Sequence, residues 1–508
     1  QAVLASKSPA LQCHRQHSPL QPNLLDIMVA SQTLSLPQLA RKYANSALSL
    51  FDPPEPEHRY FLVDGEVYDL KEFIPKHPGG TRWFSRSNGR DITPAIYAYH
   101  ANPNGTVKHM LEKYKMKKED IGKDVNELVY PRMNVPPFVL PPEFDATKGH
   151  VLTFDFHKEG NFMERLRKRL LKPEMRKQIK QADRLFDIVT FTIFLLHLYL
   201  CFPYLYYRSF WMPSSLLVLI MSVLRTSMAA AGHYHCHRAK DGIRDWADPL
   251  FDIQYVGAFI VTYDGHVMMH HFYTNSPADV KRTVFTGMLM IPRLWRIPVY
   301  TVHKFGNYLT GMFYRWWCFH QEPELAGSHF PMVKHIQFLC VRSLMIIEMF
   351  WAFYCGYTKV WCAQFFLTIW WNLMLIVSSH DFEESESHAD LNPGQDWGVF
   401  QVKNSYDMAV IGNKYVDTFL TAGLGTHRAH HVLPYQGSGF ANALSMPALE
   451  SVCKEMGVPW ERTRNFVTER IPDIVSYYLL APAQLPGLQR RIYGGHGLSG
   501  FIKEHFAS

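Results

Sequence analysis

The sequence predicts an α+β unit at the N-terminal side, followed by an all-α domain of four membrane-spanning helices with a histidine-rich cytosolic cap. Three observations lead there. Short β-type runs and turn signals crowd residues 58–120. Four apolar stretches then come as two close pairs, each near the ~20 residues that cross a bilayer as a helix. Histidine, the commonest metal-ligand side chain, occurs 26 times against 21 methionines and 30 glycines, and it gathers beside those stretches. The length of 508 residues reads as two or three folded units at ~150 residues each.

Taken in order, residues 1–27 begin with Gln1 and hold no apolar core of signal-peptide length, so they read as leader or read-through ahead of a start at Met28. Residues 50–125 form the α+β unit, with strands expected at Tyr60–Val63 and Glu66–Tyr68. Residues 126–150, with Pro131, Pro136, Pro137, Pro141 and Pro142, read as a semi-rigid linker. The membrane domain takes 151–440, with spans at Ile188–Tyr207, Phe210–Ala231, Ile336–Tyr357 and Val360–Val377. Arg225, Arg342 and Glu348 lie inside these spans, and charges at such depth are expected to pair or face the protein interior. Residues 441–508 look polar and lack a further span, which makes them a cytosolic cap over the histidine clusters.

Charge sets the orientation. Arg165, Arg167, Lys168, Arg169, Lys172, Arg176, Lys177, Lys180 and Arg184 precede the first span, whereas the two hairpin connections hold only Arg208 and Lys359. By the positive-inside rule the N-terminal region, the segment 232–335 and the C-terminal region face the cytosol. The net charge of +7 and the absence of basic runs interleaved with aromatics argue against nucleic acid and fit a lipid bilayer. Eight cysteines without a C-x-x-C pair indicate neither a zinc ribbon nor a disulfide framework.

Within the α+β unit stands His77-Pro78-Gly79-Gly80, preceded by Val67-Tyr68-Asp69-Leu70 and Phe73-Ile74 and followed by Gly89-Arg90-Asp91-Ile92-Thr93 and His100. Two neutral imidazoles on different local elements can reach one iron from opposite faces of a flat macrocycle. Leu70, Phe73, Ile74 and Ile96 could wall the pocket, and full axial occupation favours electron transfer over oxygen binding. This segment resembles the cytochrome b5 family closely. The resemblance implies that His77 and His100 are the axial ligands of haem b and that the module passes single electrons.

Three histidine clusters follow. The first, His233-Tyr234-His235-Cys236-His237, begins at the end of the second span; on a helix His233 and His237 share a face and His235 points away. The second is His266-x-x-x-His270-His271, with His266 and His270 on one face, and the third is His427-x-x-His430-His431. The charge-derived topology puts all three on the cytosolic side, where His380, ending the fourth span, also emerges. So many neutral nitrogen ligands without a Glu-x-x-His pair speak against a four-ligand zinc site and against carboxylate-bridged bundles. Two irons ligated mainly by histidine fit better, although ligand count alone leaves the metal open.

The order, spacing and topology of these clusters resemble the membrane fatty acid desaturase family, and the fusion order resembles its front-end members and the cytochrome b5-related proteins of animals. The resemblance implies that His233, His237, His266, His270, His271, His427, His430 and His431 bind two non-haem iron ions, with His380 matching the family's extra histidine. It further implies O2 as co-substrate and NADH-cytochrome b5 reductase as electron source. The substrate implied is a long-chain fatty acyl group on coenzyme A or phospholipid, and the location a multi-pass one in the endoplasmic reticulum membrane. One departure stands out: front-end members usually carry Gln where this chain has His427.

Three alternatives stay open at this level. A fatty acyl hydroxylase uses similar clusters and can also carry a cytochrome b5 domain, although with a shorter interval between the second and third. A membrane-tethered electron carrier with a silent second domain would hold haem and no further iron. A zinc-dependent membrane protein would hold zinc.

Overall fold

The computed structural model describes residues 59–79, 84, 91–121, 154–207, 212–238, 247–255, 266–267, 270–275, 286–321, 332–380, 394–480 and 483. The chain divides into two units, Gln1–Phe51 and Asp52–Ser508. The first unit, with the expected leader 1–27, and the expected linker 126–150 both lie outside the described residues.

The α+β unit starts with a hairpin. Strands β1 (Tyr60–Val63) and β2 (Glu66–Asp69) pair antiparallel, Val63 opposite Glu66. Asp64 and Gly65 between them both have positive φ (52° and 77°), as a two-residue hairpin turn matched to strand twist requires. Phe61, Val63, Tyr68, Leu70, Ile74, Phe84, Ile92 and Leu111 form the core. Asp91 Oδ1 accepts from the Thr93 amide at 2.9 Å and starts helix α1 (Thr93–Tyr99), which ends where His100 turns to an extended conformation.

The remainder is helical. Asn161 caps α2 (Phe162–Leu170) by accepting from the Glu164 amide. Helix α3 (Pro173–Tyr199) continues through further helical turns to Tyr207; α4 (Ser214–His235) returns. Helix α5 (Arg293–Gln321) precedes a second antiparallel-length pair, α6 (Met332–Tyr354) and α7 (Thr358–His380). Four stretches are long and apolar enough to cross a membrane: Pro173–Tyr207, Ser214–His235, Ile336–Tyr354 and Thr358–His380. Helices α4 and α7 are the more buried two and touch each other; α3 and α6 are the more exposed. On α3 the exposed apolar residues Ile188, Phe191, Leu195 and Tyr199 recur at helical spacing, the pattern of a lipid-facing stripe.

The charges inside the spans pair as expected. Glu348 on α6 binds Arg225 of α4 and, at 2.9 Å, His197 of α3. The Nε of Arg225 donates to Gln364 Oε1 of α7 at 3.1 Å, so one buried network joins all four spans. Arg342 pairs with Asp252 at 3.3 Å.

Beyond the spans, α8 (Trp397–Lys403), α9 (Lys414–Leu420), α10 (His427–Val432) and α11 (Gly439–Met456) form a compact cap. Asp396 caps α8 by accepting from Gly398 and Val399, and also accepts from the Phe162 amide of α2 at 2.7 Å. The two-residue strands Met408–Ala409 and Arg464–Asn465 pair in parallel.

Two features add to what the sequence suggests. Helix α5 was not anticipated: Pro298 and the basic residues interrupt its apolar run, yet Leu294, Trp295, Ile297 and Val302 project from it. The stretch after 440 is less polar in place than its composition suggests, because Leu449, Val452 and Cys453 of α11 are fully buried against α2 and α10.

Candidate functional site

Two sites are built where the α+β unit meets the helical domain. In the first, the rings of His77 and His100 face each other with centroids 6.2 Å apart. Two imidazoles bound to opposite sides of one metal through nitrogen–metal bonds of ~2 Å have centroids roughly 6 Å apart, so the pair fits a bis-histidine haem. His100 Nδ1 lies 3.0 Å from the Ile96 carbonyl, which leaves Nε2 for the pocket. Gly79 is required here, because a Cβ would stand 2.7 Å from His77 Cε1. Burial is the main cause that depresses His100 below the usual histidine range, keeping it a neutral donor. The pocket has a volume of about 450 Å³; Leu70, Phe73 and Ile96 line it as expected, Phe84 lines it as well, and Ile74, expected there, is buried in the core behind it instead. Its far wall is not from the same unit: His237, Val267 and Tyr435 complete it.

In the second site nine buried histidines form two groups. The ring nitrogens of His233, His237, His266, His271 and His430 lie within 4.8 Å of one another, as do those of His270, His380, His427 and His431. Every histidine of the three clusters except His235 is therefore included. His235 instead turns to Asp187, 3.5 Å away, as its position on the helix predicts. The division does not follow the clusters: His266 and His271 share one group while His270 joins the other, and likewise His430 separates from His427 and His431. His266, Val267 and His270 have π-helical backbone and His271 opens a three-residue α-helical turn, so these rings do not follow the single-face spacing of a regular α-helix.

The elements that aim these rings are specific. Gly232 lets α4 meet the turn at 248–254, since a Cβ there would be 2.1 Å from the Phe251 amide nitrogen. Carbonyl oxygens of Ala422 and Asn404 hold Nδ1 of His233 and His380 at 3.1 and 2.9 Å. Gln401 joins the second and third clusters: its Oε1 is 3.0 Å from His431 Nδ1, and its Nε2 donates to the His271 carbonyl at 2.9 Å. Fixing Nδ1 in this way presents Nε2 as the ligand atom.

The Nε2 atoms then face one another, His233 to His266 at 2.9 Å and His270 to His380 at 3.0 Å. Neighbouring ligands on one ion, with right-angled bonds of ~2.05 Å, stand ~2.9 Å apart. Nε2 of His431 is buried and makes no hydrogen bond, a state that a metal ion would relieve. Burial, then the neighbouring imidazoles, push His271 and His431 well below the usual histidine range, so both are neutral. The donor set fits transition-metal ions, with five nitrogens for one and four for the other. A small cavity of about 20 Å³ lies between His233, His380 and His427, walled by Phe251, Ile376 and Leu424.

Sequence reasoning missed the residues that join the two sites. Tyr97 and Ala98 of α1 are buried with Phe156, Phe162, Leu166, Trp397 and Val432 of the helical domain, and Arg167 donates to the Tyr97 carbonyl. Tyr99 stacks on His237, centroids 6.0 Å and planes 15° apart, with its Oη 2.8 Å from His237 Nδ1. The alternation of α1 gave no signal of this, because its partners are distant in sequence.

Comparison with known proteins agrees with this division. Residues 45–118 match the cytochrome b5-like heme/steroid binding domain, and residues 209–464 match the fatty acid desaturase family. The chain is 22% identical to a probable Delta(5) fatty acid desaturase C of Dictyostelium discoideum, over 80% of this chain and 88% of the relative. It is 23% identical to Delta(5) fatty acid desaturase A of the same organism, over 82% of this chain and 89% of that relative. A cytochrome b5-related protein of Drosophila melanogaster is 23% identical over 75% of this chain and 80% of its own length. No solved structure matches the chain. Half of the sequence matches the desaturase family, over three of the four candidate spans and both histidine groups, behind a domain of the haem-binding cytochrome b5 type, and the chain therefore belongs to the fatty acid desaturases, a family of oxidoreductases.

Proposed function

We propose that the chain is an O2-dependent acyl desaturase that uses electrons from its own cytochrome b5 domain to introduce a double bond into a long acyl chain, on coenzyme A or a phospholipid. In this reading His77 and His100 hold haem b. His233, His237, His266, His271 and His430 hold one non-haem iron, and His270, His380, His427 and His431 the other. The observation that carries it is the sorting of nine buried imidazoles, from four separate parts of the chain, into two groups at one end of α4 and α7.

Bound iron would supply O2 activation and hydrogen removal from a methylene that offers no acidic proton to a side-chain base. The protein's own residues orient and exclude. Ala422, Asn404 and Gln401 hold the rings, and Phe251, Ile376 and Leu424 keep water from the space between the two groups. The positive-inside reading supports a centre on the cytosolic side of its membrane, and the family resemblance supports the endoplasmic reticulum as that membrane and NADH-cytochrome b5 reductase as the electron source. The names of the Delta(5) relatives support an acyl chain desaturated towards its carboxyl end. His427 belongs to the second histidine group.

The test is expression in a yeast lacking its own desaturase, fed a panel of saturated and unsaturated fatty acids, with double bonds located by mass spectrometry. A product two mass units lighter than its precursor, lost in His430→Ala, is expected. A product sixteen units heavier would make the chain a hydroxylase. Metal analysis of the purified protein should give two irons beyond the haem iron; zinc in their place, or none, would overturn the iron assignment.

A further inference from the structure

We propose that Tyr99 is a positioning residue for electron transfer, and that its hydroxyl on His237 couples the haem domain to the histidine centre. The inference rests on the haem and iron reading above. Tyr99 is bonded in sequence to His100, the axial ligand, and it closes α1. Its Oη lies 2.8 Å from His237 Nδ1 and 3.4 Å from the Val267 carbonyl. With Nε2 of His237 given to a metal, Nδ1–H donates to the tyrosine oxygen and the tyrosine O–H donates to Val267. The ring is held from both sides, stacked on His237 and edge-on to Phe272 at 5.9 Å.

This is a continuous path. It runs from the imidazole of His100 along one peptide unit, through the Tyr99 ring, across one hydrogen bond and into the imidazole of His237, with His237 also forming part of the haem pocket wall. In the same group the Nδ1 of His233 is held by the Ala422 carbonyl, from the helical domain itself. His237 is held by the electron donor's domain. The step is a one-electron exchange: ferrous haem becomes ferric, a ferric ion in the His237 group becomes ferrous, and no bond or proton is transferred.

The experiment uses the full chain loaded with haem and iron in lipid nanodiscs. The haem is photoreduced anaerobically by an external flavin donor, and its reoxidation by the iron centre is followed at the haem absorption band. Tyr99→Phe keeps the ring and removes only Oη. Expected is a fall of about tenfold or more in the reoxidation rate, the scale on which supporting hydrogen bonds to metal ligands act, with haem spectrum, midpoint potential and iron content as in the wild type. Tyr99→Leu should be slower still. An unchanged rate in Tyr99→Phe would overturn the proposal, and so would loss of iron from that variant, which would make Tyr99 a support for metal retention. Failure of the wild-type chain to bind iron would instead overturn the function reading.

Discussion

At the scale of single residues, ligand types and their spacing could be read from the sequence, whereas ligand support could not. The eight histidines of the three clusters, and His380, were expected at one site because imidazole is informative and the clusters are dense. Gln401 carries no such signal: it lies far along the chain from His271 and gains meaning only when α8 is packed beside the second cluster. Because it holds His431 Nδ1 and the His271 carbonyl together, Gln401→Leu is expected to lower metal affinity by about 10–100-fold. Competition with an iron chelator, followed by the loss of non-haem iron at constant haem, measures it. The carbonyls of Ala422 and Asn404 are equally invisible in a sequence, since every residue has one.

At the scale of elements, hydropathy located the four spans and erred at their ends. Helix α4 runs on through His233 to His235 rather than stopping at Ala231, because backbone hydrogen bonding continues where polarity begins. The charges within the spans were read as paired or inward-facing, and the structure supplies the partners. Glu348 sits between Arg225 and His197, all three essentially inaccessible. These three side chains resemble a metal site by residue type, yet the guanidinium on the same carboxylate opposes a cation there. Removing the carboxylate leaves a buried arginine uncompensated, for which a loss of about 3–5 kcal/mol is typical. Glu348→Ala should therefore lower the unfolding temperature in detergent markedly, while Cys340→Ser, at an exposed position on the same helix, should leave it unchanged. Equal melting of the two variants would remove the network's role in holding the spans together.

At the scale of the whole molecule, the order of modules was evident from motifs, but their fixed contact was not. A cytochrome b5 unit beside a linker suggests a tethered carrier that docks and leaves. Instead, Tyr97 and Ala98 complete a core whose other members include residues of α2, α8, α10 and α11 together with Phe156 and Phe272. Such a contact depends on side chains as far apart as Tyr97 and Cys453, 356 positions along the chain, and no local pattern encodes it. The pocket wall shared by the two modules has a consequence for competition. A berth that already holds its own passenger admits no stranger: while α1 stays seated, free cytochrome b5 has no route to His237. A chain with His77→Ala, still carrying its front domain, should remain inactive in cells overproducing free cytochrome b5. A chain that begins after residue 121 should regain some product under the same conditions. Rescue of the first by the free carrier, scored as desaturated fatty acid, would mean that the berth empties during turnover.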